Sequence, residues 1–361
     1  MTKQWYTIDN TDSLLTPALL FYPERIARNI DKMISLAGSA TRLRPHVKTY
    51  KCAEVVRMQM ERGIYKFKCA TLAEAKMLAD VGAIDILIAY PLVGPAQTYF
   101  LELCKTYPKS NFSVLIDHAD QLMLWKKTTQ KIAVFIDVNV GMNRTGISID
   151  EAHNLHEQLA KIPHITFKGW HMYDGHIHDH ALQDRKIAVA KAFKDVNELL
   201  TKTQTKKMEM ICGGSVTFPI HAEYPTRTLS PGTTLLWDEG YAKEFPDISF
   251  DRAATLATRI ISKPGSHKLC LDLGHKAVAS EMKMPPVVFP QLPDAIIETH
   301  SEEHLVIRSE QAVNWNIGDM LYGIPWHICP TVALHDQAGI VKNKEVTDFW
   351  KIVARNRFYQ L

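Results

Sequence analysis

Short apolar runs recur through the first two thirds of the chain, at 43–47, 66–70, 84–89, 112–116, 132–138, 165–172, 208–212 and 227–229. Bounded by turn-forming residues, such runs predict strands. The intervening segments 71–80, 150–161 and 184–202 open on capping residues and carry apolar side chains at i, i+3 and i+4, the pattern of helices packed on one face. Strand and helix alternating in this way predict a parallel α/β sheet, and the count of eight runs selects a closed (β/α)8 barrel over an open sheet.

Beyond about residue 240 the texture changes. Runs at 258–262, 268–273, 287–289, 305–308 and 331–334, broken by Pro, Gly and Asp, predict a smaller, mostly β C-terminal domain. A further strand-like run at 18–22 precedes a long helix predicted over 23–36. The expected organisation is a barrel domain over 25–240 and a β domain over 241–361, the latter joined by strand residues from 1–24.

Composition narrows the function classes. The 361 residues are 46% hydrophobic and 22% charged, the balance of a globular protein with a sizeable core. Lys+Arg 42 against Asp+Glu 39 gives +3, spread without long basic runs, so neither nucleic acid nor an anionic membrane is an expected partner. No apolar window reaches membrane-span length and the first ten residues lack a leader pattern, so the expected compartment is cytoplasmic. Cysteines 52, 69, 104, 212, 270 and 329 lie far apart, which predicts reduced thiols.

Catalytic groups of a (β/α)8 barrel come from the C-terminal ends of its strands. The first run ends Arg44, Pro45, His46, Val47, Lys48, which places a lysine there. The fifth leads into a loop in which Gly141 and Gly146 bracket Arg144. The seventh ends in Cys212, Gly213, Gly214 and Ser215, and adjacent glycines with flanking hydroxyls leave backbone N–H groups to cradle a phosphate, or simply form a tight turn. Taken together with the Pro17-Ala18-Leu19-Leu20 stretch and the segment from Pro325 to Thr331, these motifs resemble, in order and over nearly the whole chain, the fold-type III pyridoxal-phosphate enzymes. Within that alanine-racemase-like group the similarity is greatest to the D-threonine aldolase and D-serine dehydratase branch.

The resemblance implies that Lys48 bonds the cofactor's aldehyde, Arg144 meets its phenolic oxygen, and Gly213, Gly214 and Ser215 hold its phosphate. Tyr173, at the end of the sixth run, is similar to the family's cofactor-contacting tyrosine. A lysine in a partly desolvated pocket has its ammonium disfavoured, which suits that role for Lys48.

His327 and Cys329 form a His-x-Cys pair. In an extended stretch both side chains share a face, and imidazole with thiolate suits zinc or a neighbouring first-row metal. A buried cysteine beside a capping histidine fits the same letters. The resemblance implies the metal, zinc or manganese, because the D-specific branch carries a ligand pair at this segment.

The densest histidine run, His176, His178 and His180, follows His171. The His176-x-His178 pair also resembles metal-dependent barrel hydrolases, but there the pair sits on the first strand. The resemblance implies instead a base toward a substrate hydroxyl, His178 first and His176 second. Asp238 and Tyr241, in the loop after the last barrel run, are candidates to face the cofactor, and His275 and Lys276 are further candidates that a turn after a strand explains equally well.

The expected function is therefore a pyridoxal-phosphate- and metal-dependent lyase cleaving D-β-hydroxy-α-amino acids to glycine and an aldehyde. A D-serine dehydratase-like deaminating lyase is the alternative, with an amino-acid racemase or a non-catalytic cofactor carrier more remote. The resemblance also implies a homodimer.

Overall fold

The computed structural model describes residues 4–282 and 285–357, so the outermost parts of both predicted domain ends, together with 283–284, lie outside the described residues. The chain divides into two compact units. One is built from residues 32–48 and 56–232, the other from 4–31, 49–55 and 233–355. The first strand, β1 (Ala18–Phe21), belongs to the second unit.

The first unit is a parallel sheet of seven strands in sequence order: β2 (Lys66–Cys69), β3 (Asp85–Pro91), β4 (Asn111–Ile116), β5 (Ile132–Asp137), β6 (Ile165–Met172), β7 (Glu209–Cys212) and β8 (Arg227–Leu229). The predicted first barrel run, 43–47, is not a regular strand but does a strand's work. Leu43 bridges Leu229 and His46 bridges Lys68, both in parallel, so this segment joins the two edges of the sheet. Pro45 has no N–H to give, yet the segment is held on both sides. Arg44 N–H donates to Leu229 O (2.8 Å), His46 N–H to Pro231 O (2.8 Å), and Val47 N–H to Lys68 O (2.9 Å). The barrel therefore closes without leaving an exposed edge.

Two predicted helices match their signals closely. Leu72–Asp80 starts at Thr71, whose side chain accepts the Glu74 N–H, and Ile149–Ala160 starts at Ser148, which accepts from Glu151. The single helix expected over 184–202 is instead two, Leu182–Ala192 and Val196–Lys202. The break falls at Phe193, which turns inward against the His221 ring (centroids 4.8 Å apart) and beneath the Arg227 guanidinium, a tertiary contact that overrides helix periodicity.

The second unit is a nine-stranded sheet that adds β9 (Ala254–Gly265), β10 (Lys268–Leu271), β11 (Val287–Val288), β12 (Ile296–His300), β13 (Leu305–Arg308), β14 (Met320–Pro325), β15 (Gln337–Lys342) and β16 (Glu345–Lys351) to β1. β1 lies between β9, antiparallel, and β15, parallel. Its core gathers Tyr6, Ile8, Leu20, Tyr22, Ala257 and Tyr322. Here the buried Tyr22 hydroxyl donates to Tyr6 O (2.6 Å), so the aromatic cluster buries no unpaired phenol at that position. The run 331–334, expected as strand, lies in the helix Ile328–Leu334. That helix is fixed at its start, where Asp238 accepts the Ile328 N–H (3.0 Å) and Thr331 Oγ1 donates back to His327 O (2.8 Å). No helix among the described residues is long and apolar enough to cross a membrane.

Candidate active site

The barrel interior is layered. At the strands' N-terminal ends Arg44, wholly buried, donates to Asp85 (2.7 Å) and to both carboxylate oxygens of Glu209, which also pairs with Lys66. Burial pushes the Glu209 carboxyl up, but the Arg44 and Lys66 charges more than offset it and hold it below its ordinary value. Above this ionic plug lies an apolar layer of Leu87, Leu115, Phe135 and Ile211.

The next layer, at the C-terminal ends, is polar. Asp137 closes β5, and across from it His171 closes in from β6, with Nδ1 2.6 Å from Asp137 Oδ1. The other Asp137 oxygen accepts from Thr145 Oγ1 (2.8 Å), and Lys68 Nζ lies 3.4 Å from His171 Nε2. A bulge makes this possible. Val134 pairs with Phe167 but Phe135 with Gly169, so Lys168 is an extra residue and everything after it turns over. Gly169 is required there, since a Cβ would sit 1.9 Å from Glu209 O.

Tyr173, one residue past β6, is the hub of the mouth. The Arg144 guanidinium lies 5.2 Å from its ring centroid and the Lys68 amine 5.6 Å. A Cβ on Gly214 would approach the ring to 3.1 Å and one on Gly175 to 2.2 Å, so glycine at both positions lets the loops close around it. The Arg144 loop is shaped by Asn139, whose Oδ1 accepts from the Gly141 and Asn143 N–H groups (2.9 and 3.1 Å), and Asn143 adopts a left-handed φ of 52°. Asp137, Met142, Arg144, Thr145, His171 and Tyr173 line a small cavity here.

The glycine turn differs from the expected open cradle at one position, because the Gly214 N–H is committed to Thr217 Oγ1 (3.0 Å). Thr217 Oγ1 in turn donates to Asp174 (2.8 Å), whose other oxygen pairs with His221 Nε2 (2.7 Å), while Arg227 Nη1 donates to His221 Nδ1 (2.6 Å). Arginine can only donate, so His221 carries its proton on Nε2. Asp174 and His221 are fully buried, and this network fixes the turn from behind. Ser215 Oγ accepts the Gly232 N–H (3.3 Å).

Lys48 is half-buried just past the first run, its N–H donating to His46 Nδ1 (3.2 Å). Burial depresses the amine of Lys68, on β2. Sealed in the barrel and repelled by the Lys48 charge, with Asp137 and Asp174 opposing, it titrates at about 7. Sequence reasoning passed over Lys68, Asp137, Asp174 and His221. Of the histidines proposed as base, His176 and His178 are exposed after β6, and His176 packs on Gly141 of the Arg144 loop.

In the second unit, His327 is extended at the helix N-cap but Cys329 lies inside the helix, so the pair does not share a strand face as the spacing suggested. The two side chains meet all the same, across the first helical turn. Burial would lower the His327 pKa, but Cys329 and Glu281 raise it to about 9. Glu281 accepts from Nδ1, and Cys329 Sγ also meets Thr49 Oγ1 (3.1 Å) and Thr233 Oγ1 (3.4 Å). Among the described residues no cluster of three or more His, Cys, Asp or Glu forms a ready-made metal cage. Asp238, pushed up to about 6 by burial, anchors the helix, and Tyr241 stacks on Trp237 (5.2 Å). Lys276 pairs at the surface with Glu302 and Glu303, and the His275 N–H holds Ser301 O, so both serve turn geometry.

Comparison with known proteins gives a family model described as "Alanine racemase, N-terminal domain" over residues 23–239 and a "Putative serine dehydratase domain" over 253–341. A D-threonine aldolase from Arthrobacter sp. is 28% identical over 326 residues, covering 87% of this chain and 85% of the relative. A 3-hydroxy-D-aspartate aldolase from Paracoccus denitrificans is 26% identical, covering 95% and 93%. The crystal structure of D-threonine aldolase from Filomicrobium marinum superposes with a TM-score of 0.86 at 26% identity, covering 94% and 95% of the two chains.

Proposed function

The chain belongs to the alanine-racemase-like, fold-type III family of pyridoxal-phosphate enzymes, and from that premise we propose that it is a metal-assisted lyase cleaving D-β-hydroxy-α-amino acids to glycine and an aldehyde. The observation that carries the reading is the convergence on the Tyr173 ring, around which the Arg144 loop, the Gly214 turn and a buried lysine all close at the barrel mouth.

The residues present fit the cofactor. Arg144 and Lys48 supply positive charge for an anionic group, and glycine at 214 keeps a Cβ off the Tyr173 ring. Pyridoxal phosphate, when bound, supplies the electron sink that weakens a bond to the substrate's α carbon. In this reading Lys48 would bond it, Arg144 and Tyr173 would contact it, and the turn of Gly213, Gly214 and Ser215 would receive its phosphate, Gly214 only by giving up its N–H bond to Thr217. The barrel domain, taken as 25–240, would hold the cofactor, and the β domain, 241–361 with 1–24, the metal.

The donor set of His327 and Cys329 also fits a divalent ion, zinc or manganese. With Nδ1 tied to Glu281, the ring has Nε2 for a metal, and the carboxylate fixes its tautomer. Two protein ligands leave coordination positions for the substrate's hydroxyl. His178 would take the hydroxyl proton as C–C cleavage proceeds, with His176 the second choice, a contribution of ~10²–10⁴ in rate.

D-Threonine should yield glycine and acetaldehyde while L-threonine stays inert. Two observations favour the dehydratase reading instead, a thiol, Cys329, as the second member of the candidate metal pair and the serine dehydratase model matched by the C-terminal unit. Pyruvate and ammonia from D-serine, faster than any glycine from D-threonine, would establish that alternative. The enzyme is taken to be cytoplasmic and homodimeric.

A further inference from the structure

We propose that Lys68 is a positioning residue: from inside the barrel its amine donates to Nε2 of His171 and, with Asp137 on the other nitrogen, holds that imidazole neutral in a single tautomer and out of proton transfer. The geometry leaves little choice. Asp137 accepts at both oxygens, from Thr145 Oγ1 at 2.8 Å and from His171 Nδ1 at 2.6 Å, so the ring proton sits on Nδ1. Nε2 then offers a lone pair, and the group facing it is the Lys68 amine at 3.4 Å. Lys68 is 3% exposed and His171 5%, so both groups are withdrawn from bulk water.

The charges around the pair act the same way. His171 faces Asp137, Lys68 and Arg144; burial, then the two cations, disfavour the imidazolium against the pull of Asp137. Lys68 faces Lys48, Asp137, Asp174 and Arg44, with the Tyr173 ring 5.6 Å away. Either protonation state of its amine can donate to Nε2, so the lock does not depend on Lys68 being charged.

With the barrel mouth as the reaction site, as proposed above, a neutral His171 has a chemical consequence. His171 lines the cavity beside Arg144 and Tyr173, where a titrating imidazole would be an unwanted acid or base next to the reacting carbon. Locked between Lys68 and Asp137, it offers a ring face and no mobile proton. A base for the substrate hydroxyl must come from another side chain.

The test is histidine-ring ¹⁵N NMR on the holoenzyme, with the His171 signal assigned by its loss in His171→Gln. The wild-type spectrum should show the Nδ1–H tautomer, unchanged between about pH 6 and 8. In Lys68→Met the signal should titrate or populate the Nε2–H form, and Lys68→Arg, which keeps a donor, should restore the lock. A wild-type His171 that titrates in this range, or one carrying its proton on Nε2, overturns the proposal even if Lys68→Met does not fold. So does a folded Lys68→Met with an unchanged signal. The readout is independent of which amino acid is cleaved, so failure of the aldolase assay leaves it standing.

Discussion

A lysine amine sealed inside a barrel burdens the fold by an amount that depends on pH. Lys68 titrates near 7 when folded against an ordinary 10.5, so between those values the unfolded chain binds more protons than the native one. Stability must therefore rise with pH across that window, by up to ~1.4 kcal/mol per unit from this group, and the penalty is constant below it. Urea titrations of wild type and Lys68→Met should show a stability difference that changes steadily from about pH 7 to 10 in this direction; parallel curves would mean the amine is not desolvated as described. At Lys48 the expected result is chemical: borohydride should fix pyridoxal phosphate to the peptide bearing Lys48, and a label elsewhere would reassign the cofactor lysine. The place of Lys48 past the first run was legible, and its candidacy for the cofactor came from the company of the Arg144 and Gly213-Gly214-Ser215 motifs, not from the lysine alone. The place of Lys68 was not legible, because Lys66, Phe67, Lys68 and Cys69 read equally well with the lysines turned to solvent, and only closure of the sheet decides which face is inside.

The strands show what sequence can and cannot tell about an element. Arg44 is held by Asp85 and Glu209 with no exposure of its own, and truncating it leaves two half-buried carboxylates with Lys66 as the remaining cation beside Glu209. Arg44→Ala should cost ~3–5 kcal/mol by chemical denaturation. The sign with pH follows from Glu209, whose folded pKa lies below its ordinary 4.5: the stabilisation is complete above that value and lost as pH falls through the folded pKa. That acid-sensitive increment should be reduced in Arg44→Ala, where Lys66 remains beside Glu209. In β6 the run Ile-Thr-Phe-Lys-Gly-Trp-His-Met looks like one uninterrupted strand, and its length was read correctly. Its bulge was not, since nothing in the letters separates a bulge glycine from an ordinary one. Gly169→Ala, whose Cβ would meet the Glu209 carbonyl at 1.9 Å, should destabilise the barrel and withdraw His171 from Asp137, detectable as a change in the His171 ring signal. The helix Ile328–Leu334 was misread for the opposite reason: its β-branched Ile, Thr and Val suit a strand, but Asp238, distant in sequence, satisfies its first N–H and tips the balance.

For the whole molecule, the barrel strands were visible from alternation and count, whereas the discontinuity of the second unit along the chain was only hinted at by one apolar run near the start. If cofactor and metal belong to different units, they should be separable. Chelation should abolish turnover while leaving the visible absorption of the bound cofactor unchanged, and a metal-free His327→Ala variant with full activity would remove the metal from the reaction. The sheet of the second unit carries a further consequence, in the order of synthesis. Ala-Leu-Leu-Phe of β1 emerges first, yet its partners are Ala254–Ala257 in β9 and Gly339 and Ile340 in β15. At ~5–20 residues per second on the ribosome, this apolar strand waits on the order of 10–50 s for its first neighbour, and longer for its second. The barrel can gather its own strands in the meantime, but β1 cannot, and a nascent chain stalled before residue 254 would hold it unpaired for as long as the stall lasts, a natural grip for a chaperone that binds short apolar segments.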